Sequence, residues 1–159
     1  FEPDLLAEYD QTVANIAPDR HHLRDLGVTL EAEARAGFIG CSLIRTSGRL
    51  YHPDPAGFGA LILGVWADEP PSVLAQTDNF VLLDLLAFNT TEPDRWWYRR
   101  GVQFAVLGAH HLHLAMDTGH SITLHDTPLQ WLQAECRGAV LLEWCEACRA
   151  ASDEWRAAA

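Results

Sequence analysis

The sequence contains no lysine, and all eleven of its basic residues are arginine. This absence excludes Schiff-base chemistry and P-loop phosphate binding, because both depend on a lysine side chain. Twenty-two acidic residues outweigh the arginines and give a formal net charge of −11. Since affinity for nucleic acid rests on neutralising phosphates, this balance disfavours generic DNA binding.

Long apolar runs and closely spaced cysteines are also lacking. No stretch reaches the roughly 18 apolar residues of a membrane-spanning helix, and no signal-peptide pattern is present. The four cysteines are too few and too unevenly spaced for a disulfide scaffold in 159 residues. We therefore expect a soluble, cytoplasmic protein with reduced thiols and no membrane contact.

The length and the apolar fraction of 48% predict a single domain over residues 1–159. We predict a mixed α+β fold with short N-terminal helices, a mostly antiparallel central sheet and a C-terminal βαβα unit that contains one parallel strand pair. The helical lead-in covers residues 1–37, where apolar residues recur at helical intervals and glycines end the segments. A β-rich meander follows over residues 38–108, and residues 109–159 form an αβαβα unit.

Within the meander, a hairpin is predicted around Ser47-Gly48, with further strands over residues 60–66, 80–88 and 95–100. Asp84 interrupts the apolar strand 80–88. A carboxylate in such a strand needs a partner, and we expect it to pair with an arginine.

Residues 121–144 read as strand, helix, strand. Thr127 is the expected N-cap, and Gln130, three residues later, completes a capping box. Gly138 is expected to close the helical segment. Strands over 121–124 and 139–142 would then form the parallel pair of a βαβ unit.

The only concentration of basic and aromatic residues lies in the strand 95–100. On a strand, Trp97 and Arg99 share one face, while Arg100 lies on the other with Trp96 and Tyr98. Ordinary sheet packing is the favoured interpretation of these residues. The alternative is contact with a ligand or with single-stranded nucleic acid through Trp97, Arg99 and Arg100.

Five histidines lie within sixteen residues of the C-terminal half. Imidazoles are common zinc ligands, and a CxxC pair follows them. Neither an HExxH motif nor a second cysteine pair accompanies these residues, so core or surface roles are favoured over a metal site. The candidate zinc ligands are His110, His113, His120, Cys145 and Cys148.

The order of elements resembles the lead-in and first half of a Toprim domain in primase-like proteins of bacterial mobile elements. The resemblance covers residues 60–159 and includes Ala60-Leu61-Ile62-Leu63, Trp96-Trp97, Gly101, Leu107-Gly108 and the βαβ unit. Where the Toprim pattern has a catalytic glutamate followed by glycine, this chain has His125-Asp126-Thr127, and the paired magnesium-binding aspartates would fall beyond residue 159. The resemblance therefore implies a degenerate or truncated relative without metal-dependent phosphoryl chemistry.

The sequence thus favours a small non-enzymatic accessory protein that acts through an unidentified protein partner and needs no cofactor. The alternative is a metal-binding protein or a hydrolase-type enzyme, with zinc as the metal and His125, Asp126 and Glu143 as the candidate catalytic residues. Single-stranded nucleic-acid binding through the Trp/Arg strand is a weaker alternative.

Overall fold

The computed structural model describes residues 4–16, 20–71, 81–102 and 105–142. The helices in these ranges are α1 (Leu5–Ala14), α2 (Arg20–Asp25), α3 (Leu30–Arg35), α4 (Ala109–Thr118) and α5 (Pro128–Gln133). The strands are β1 (Gly40–Ser47), β2 (Leu50–Pro53), β3 (Phe58–Trp66), β4 (Leu82–Asn89), β5 (Glu92–Tyr98), β6 (Val106–Leu107) and β7 (Val140–Leu141). Across the described part of the chain, every helix is too short or too polar to cross a membrane.

The first five strands close into a barrel in the order β1-β2-β5-β4-β3. Four of the neighbouring strand pairs are antiparallel, while β2 and β5 run parallel and meet at the pair Leu50–Tyr98. The α+β content predicted from the sequence is confirmed. The closure of the meander into a barrel was not predicted.

Side chains alternate between two apolar clusters on the two faces of the barrel wall. The barrel core draws residues from all five strands and from α1, including Ile44, Tyr51, Ile62, Leu85 and Trp97. The outer cluster packs the opposite faces of β3, β4 and β5 against the helices and β6–β7. Its largest members include Leu63, Phe88, Leu107, Trp131 and Leu132.

Helix starts and stops follow the expected local chemistry. The side chains of Asp4, Thr29 and Thr127 each accept a hydrogen bond from the amide three residues later. The Gln130 side chain accepts from the amide of Asp126 rather than from that of Thr127, so the capping interaction reaches one residue further back than predicted. The Thr127 cap is confirmed.

The end of α5 differs from the prediction. The helix ends at Ala134, and Glu135 takes the left-handed conformation (φ 56°) that was expected of a glycine. Gly138 has a different role, because a Cβ there would lie 2.2 Å from the carbonyl oxygen of Thr123. This close approach and the left-handed backbone of Gly138 (φ 85°), rather than a helix end, require the glycine.

The predicted βαβ unit is present only in part. Its parallel pair is reduced to one bridge, Leu124–Ala139, while β7 pairs antiparallel with β6. Residues 121–123 form no ladder, and Ser121 and Ile122 line a groove beside α4. The helix predicted over residues 144–158 lies outside the described residues.

Asp84 is fully buried, and its carboxylate is held by main-chain amides. Oδ1 accepts hydrogen bonds from the amides of Leu85 and Arg100 at 2.8 Å each. Oδ2 accepts from those of Gly101 at 2.9 Å and Val102 at 3.0 Å. The predicted pairing of Asp84 with an arginine side chain is wrong. Hydrogen bonds from four main-chain N–H groups offset the cost of burying the carboxylate instead.

Candidate functional site

Helix α4 carries His110 and His113, two of the candidate zinc ligands, and it lies on the surface. Ala109 is its single buried residue. The side chains of Leu114 and Met116 are 62% and 64% exposed. A ten-residue helix in a protein normally buries an apolar stripe, so these exposed side chains mark α4 as a candidate contact surface.

Two left-handed glycines fix the limits of α4. Gly108 (φ 76°) precedes the helix, and a Cβ there would lie 2.4 Å from the carbonyl oxygen of Gly138. Gly119 (φ 71°) ends it and donates its N–H to the carbonyl oxygen of Ala115. The helix is therefore anchored at its first turn against the segment after α5.

The α4 groove runs between the second half of α4 and the chain that follows it. Its volume is about 290 Å³, and its lining is mostly apolar. The lining residues are Leu112, Ala115, Met116, Gly119, His120, Ser121 and Ile122. A groove of this kind accepts apolar side chains of a partner segment.

A second concavity, the His110 cleft, lies at the first turn of α4. It has a volume of about 390 Å³ and is lined by Glu31, Ala34, Arg35, Glu69, Pro70, His110, His111 and Cys136. The two imidazole rings are 4.1 Å apart between centroids. His111 Nδ1 accepts the amide of Gly138 at 3.2 Å, which places the proton of the neutral ring on Nε2.

Burial shifts the pKa values of two groups in the His110 cleft. Desolvation, followed by the neighbouring His111, lowers the pKa of His110 to about 4, so the ring is neutral at pH 7. Its Nδ1 is buried and has no hydrogen-bond partner among the described residues. Desolvation also raises the pKa of the Cys136 thiol to about 12, which keeps it protonated and a poor nucleophile or metal ligand.

The candidate metal ligands are not brought together as a set. His110 lines the His110 cleft, His113 Nδ1 lies 3.8 Å from Asp68 Oδ1, and His120 lines the α4 groove. Cys145 and Cys148 lie outside the described residues. No three His, Cys, Asp or Glu residues among those described are grouped to hold a metal ion. The zinc alternative stays a prediction.

Two of the candidate catalytic residues, His125 and Asp126, lie after α4 on the segment that enters α5. His125 Nε2 is 2.7 Å from the carbonyl oxygen of Arg137. This ring nitrogen is therefore engaged in a hydrogen bond within the chain. The backbone amide of Asp126 donates a hydrogen bond to Gln130 Oε1, in the first turn of α5. Glu143 lies outside the described residues. Their proposed catalytic role stays a prediction.

The Trp/Arg strand contributes mainly to packing. Trp97 is 8% exposed and lies in the barrel core, with its ring edge-to-face with Phe58 at 5.6 Å. Arg99 forms a two-point ion pair with Glu8, with Nε and Nη2 at 3.0 Å from its carboxylate oxygens. A buried indole is not available for stacking on a base. Arg100 is exposed, and its contact with a ligand stays a prediction.

Sequence reasoning missed the apolar residues of α4, although their signal was present. Leu112, Ala115 and Met116 recur at helical spacing between the histidines. Such a stripe is normally assigned to the core. Its exposure follows from the position of α4 relative to the barrel, which depends on non-local contacts.

No protein-family model, curated protein or solved structure matches this chain. The resemblance to a Toprim domain therefore stays a prediction.

Proposed function

We propose that this protein is a small non-enzymatic interaction protein that binds a protein partner through the α4 groove. The observation that carries the proposal is the 64% exposure of Met116, an apolar side chain that lines the groove, on a helix that buries only its first residue. An apolar side chain that is exposed in a groove loses unfavourable hydration when a partner covers it.

The charge of this region specifies the chemistry of the partner. Residues 109–126 include Asp117 and Asp126 but neither lysine nor arginine, and the whole chain carries a net charge of −11. A partner segment with an apolar stripe flanked by arginine or lysine complements this surface. A second copy of the chain is disfavoured, because two strongly acidic surfaces repel each other.

The chemistry of the neighbouring groups supports a binding role over catalysis. Cys136 is held protonated, and His125 is in contact with a backbone carbonyl. The relation to a degenerate Toprim domain of a mobile element belongs to the same proposal, since His125-Asp126 stands where that family has its catalytic glutamate.

The test replaces two apolar side chains of α4 that line the groove. Ala115→Glu combined with Met116→Glu introduces charge into the groove, whereas Leu30→Glu, at a residue that is 64% exposed on α3, is the matched control. Because the chain has no lysine for amine-reactive reagents, in-cell cross-linking uses a photoreactive leucine analogue, and mass spectrometry of the cross-linked peptides should map a partner to α4. The purified partner should then bind the wild type and Leu30→Glu alike and the double variant at least about tenfold more weakly.

Added salt should also weaken this binding, because the charge complementarity is screened. Equal affinity of all three proteins, or cross-links that map away from α4, would refute the proposal. Concentration-dependent dimerisation that is lost in the double variant would identify a second copy as the occupant instead.

A further inference from the structure

A third concavity, the Gly59 cleft, lies on the outer face of the barrel, away from α4. Its volume is about 420 Å³, within the range of small-molecule sites. The apolar floor belongs to strands β1, β3 and β4, where Cys41 pairs with Leu61 and Leu61 pairs with Phe88. The lining residues are Asn15, His22, Cys41, Ser42, Leu43, Gly59, Ala60, Leu61, Phe88, Asn89 and Thr90.

Gly59 is the feature of this cleft that packing does not explain. Two other glycines near β3 are required because neighbouring atoms come too close for a side chain. A Cβ at Gly57 would lie 2.0 Å from the carbonyl oxygen of Ile44, and a Cβ at Gly64 would lie 2.6 Å from Trp66 Nε1. At Gly59 a Cβ meets nothing within 4 Å, and the backbone is not left-handed. The β1–β3 register runs through it without a bulge. A strand glycine of this kind marks close approach by something outside the sheet.

The lining of the cleft carries neither acidic nor arginine side chains. This is notable because 21% of the chain is charged. Charged ligands are normally matched by opposite charges in their sites, so an uncharged lining fits an uncharged ligand.

The wall formed by α2 and the β4–β5 turn carries hydrogen-bonding groups, and Asn15 and Ser42 add polar groups elsewhere in the lining. His22 Nε2 is 2.9 Å from Thr90 Oγ1, which ties α2 to the β4–β5 turn. Asn89 Oδ1 accepts both the amide and the hydroxyl of Thr91, so the side chain presents its Nδ2 hydrogens as donors. Polar groups on one wall beside an apolar floor define an orientation for a bound molecule.

We infer that the Gly59 cleft is a binding site for a small uncharged ligand with a flat apolar body and a hydrogen-bonding edge. The body lies over Gly59 against Leu61 and Phe88. The polar edge, an amide or carbonyl group, meets Asn89 and the His22–Thr90 pair. This site is separate from the α4 groove and does not depend on the function proposed there.

The test uses three probes of the same shape and different charge: benzamide, benzoate and benzamidine. Titration of the isotope-labelled full chain, followed by two-dimensional amide NMR, should show saturable shifts for benzamide at Gly59, Leu61 and Asn89. Benzoate and benzamidine should not saturate at these amides. Gly59→Val fills the space above the strand and should abolish the benzamide shifts, while Ser47→Val, at an exposed position of β1, should retain them.

A second variant guards against a folding defect in Gly59→Val. Leu43→Glu adds a carboxylate at a rim position that is already 47% exposed. It should weaken benzamide binding and make benzamidine binding saturable at the same amides. The inference is overturned if benzamide gives no saturable shift at the cleft, if Gly59→Val binds it as the wild type does, or if either charged probe binds the wild type there as well as benzamide.

Discussion

At the scale of single residues, Asp84 fixes the path of the chain where it leaves the barrel. Its carboxylate gathers the amides of residues 100–102 beside the end of β5. Asp84→Asn keeps the shape but replaces one acceptor oxygen by an NH₂ group that faces N–H donors. We expect the free energy of unfolding to fall by about 2 to 4 kcal/mol, measured by chemical denaturation at pH 7.

The matched control for this change is Asp94→Asn, an exposed position on β5. Surface substitutions of this kind alter stability by about 0.5 kcal/mol or less. A loss at Asp84 no larger than the loss at Asp94 would show that the amides find other acceptors.

His110 predicts a pH dependence of stability. Its pKa is lowered to about 4 in the folded protein from an ordinary value of 6.5, so between these values the unfolded chain binds a proton that the folded protein does not. Stability should therefore fall as the pH drops from 6.5 towards 4. We expect a loss of about 1 kcal/mol from this ring, because its partial exposure lets solvent reduce the penalty.

Denaturation curves across this pH range measure the effect. In His110→Gln the loss between pH 6.5 and 4 should be smaller than in the wild type by the same amount. His21→Gln, at an exposed position of α2, should follow the wild-type curve. Identical slopes for His110→Gln and the wild type would contradict the prediction.

At the scale of elements, three helices end in the same motif with different residues. The last turns of α2, α3 and α5 are closed by hydrogen bonds from Val28 to Leu23, from Phe38 to Glu33 and from Cys136 to Trp131. These are Schellman ends, which place a left-handed residue just after the helix. That residue is Gly27 in α2, Gly37 in α3 and Glu135 in α5.

Glu135→Gly should therefore stabilise the protein by about 0.5 to 1 kcal/mol, because glycine adopts the left-handed conformation without steric strain. The ion pairs of Glu135 with Arg35 and Arg137, at 3.7 and 3.6 Å, are partly solvated and offset little of this gain. Thermal and chemical denaturation measure the change.

Gly27→Ala is the reciprocal variant, since a Cβ at Gly27 meets no other atom within 4 Å. It should destabilise by about 1 kcal/mol through backbone conformation alone. A destabilised Glu135→Gly variant would show that the side-chain contacts of Glu135 outweigh its backbone strain.

What the sequence predicts at this scale is what local chemistry decides. Thr29, Thr127 and the glycines after α2 and α3 act within one helical turn, so their roles could be read from neighbouring residues. The hydrogen-bond partners of Asp84 could not be predicted from its neighbours. Three of them are main-chain amides sixteen to eighteen residues away, and every residue except proline has such an amide. The contacts of Ser121 and Ile122 depended likewise on the position of α4, which no local pattern encodes.

At the scale of the whole molecule, the net charge of −11 predicts a response to ionic strength. Self-repulsion opposes the compact state, and salt screens it. Raising sodium chloride from about 10 mM to 0.5 M at pH 7.5 should raise the melting temperature by about 2 to 5 °C. The same scan near pH 5, the isoelectric point, should show a much smaller rise. Equal rises at both pH values would contradict a charge-repulsion origin.

The closure of the barrel between β2 and β5 has a consequence for how the molecule opens. This junction is held by the pair Leu50–Tyr98, by the Tyr98 amide bonded to the Arg49 carbonyl at 2.8 Å, and by the Arg49 guanidinium 5.4 Å from the Tyr98 ring centre. The other junctions are ladders of four or more residue pairs. The barrel should therefore open first between β2 and β5, which exposes the edges of these two strands. The amides of the β3–β4 ladder should stay protected from hydrogen exchange.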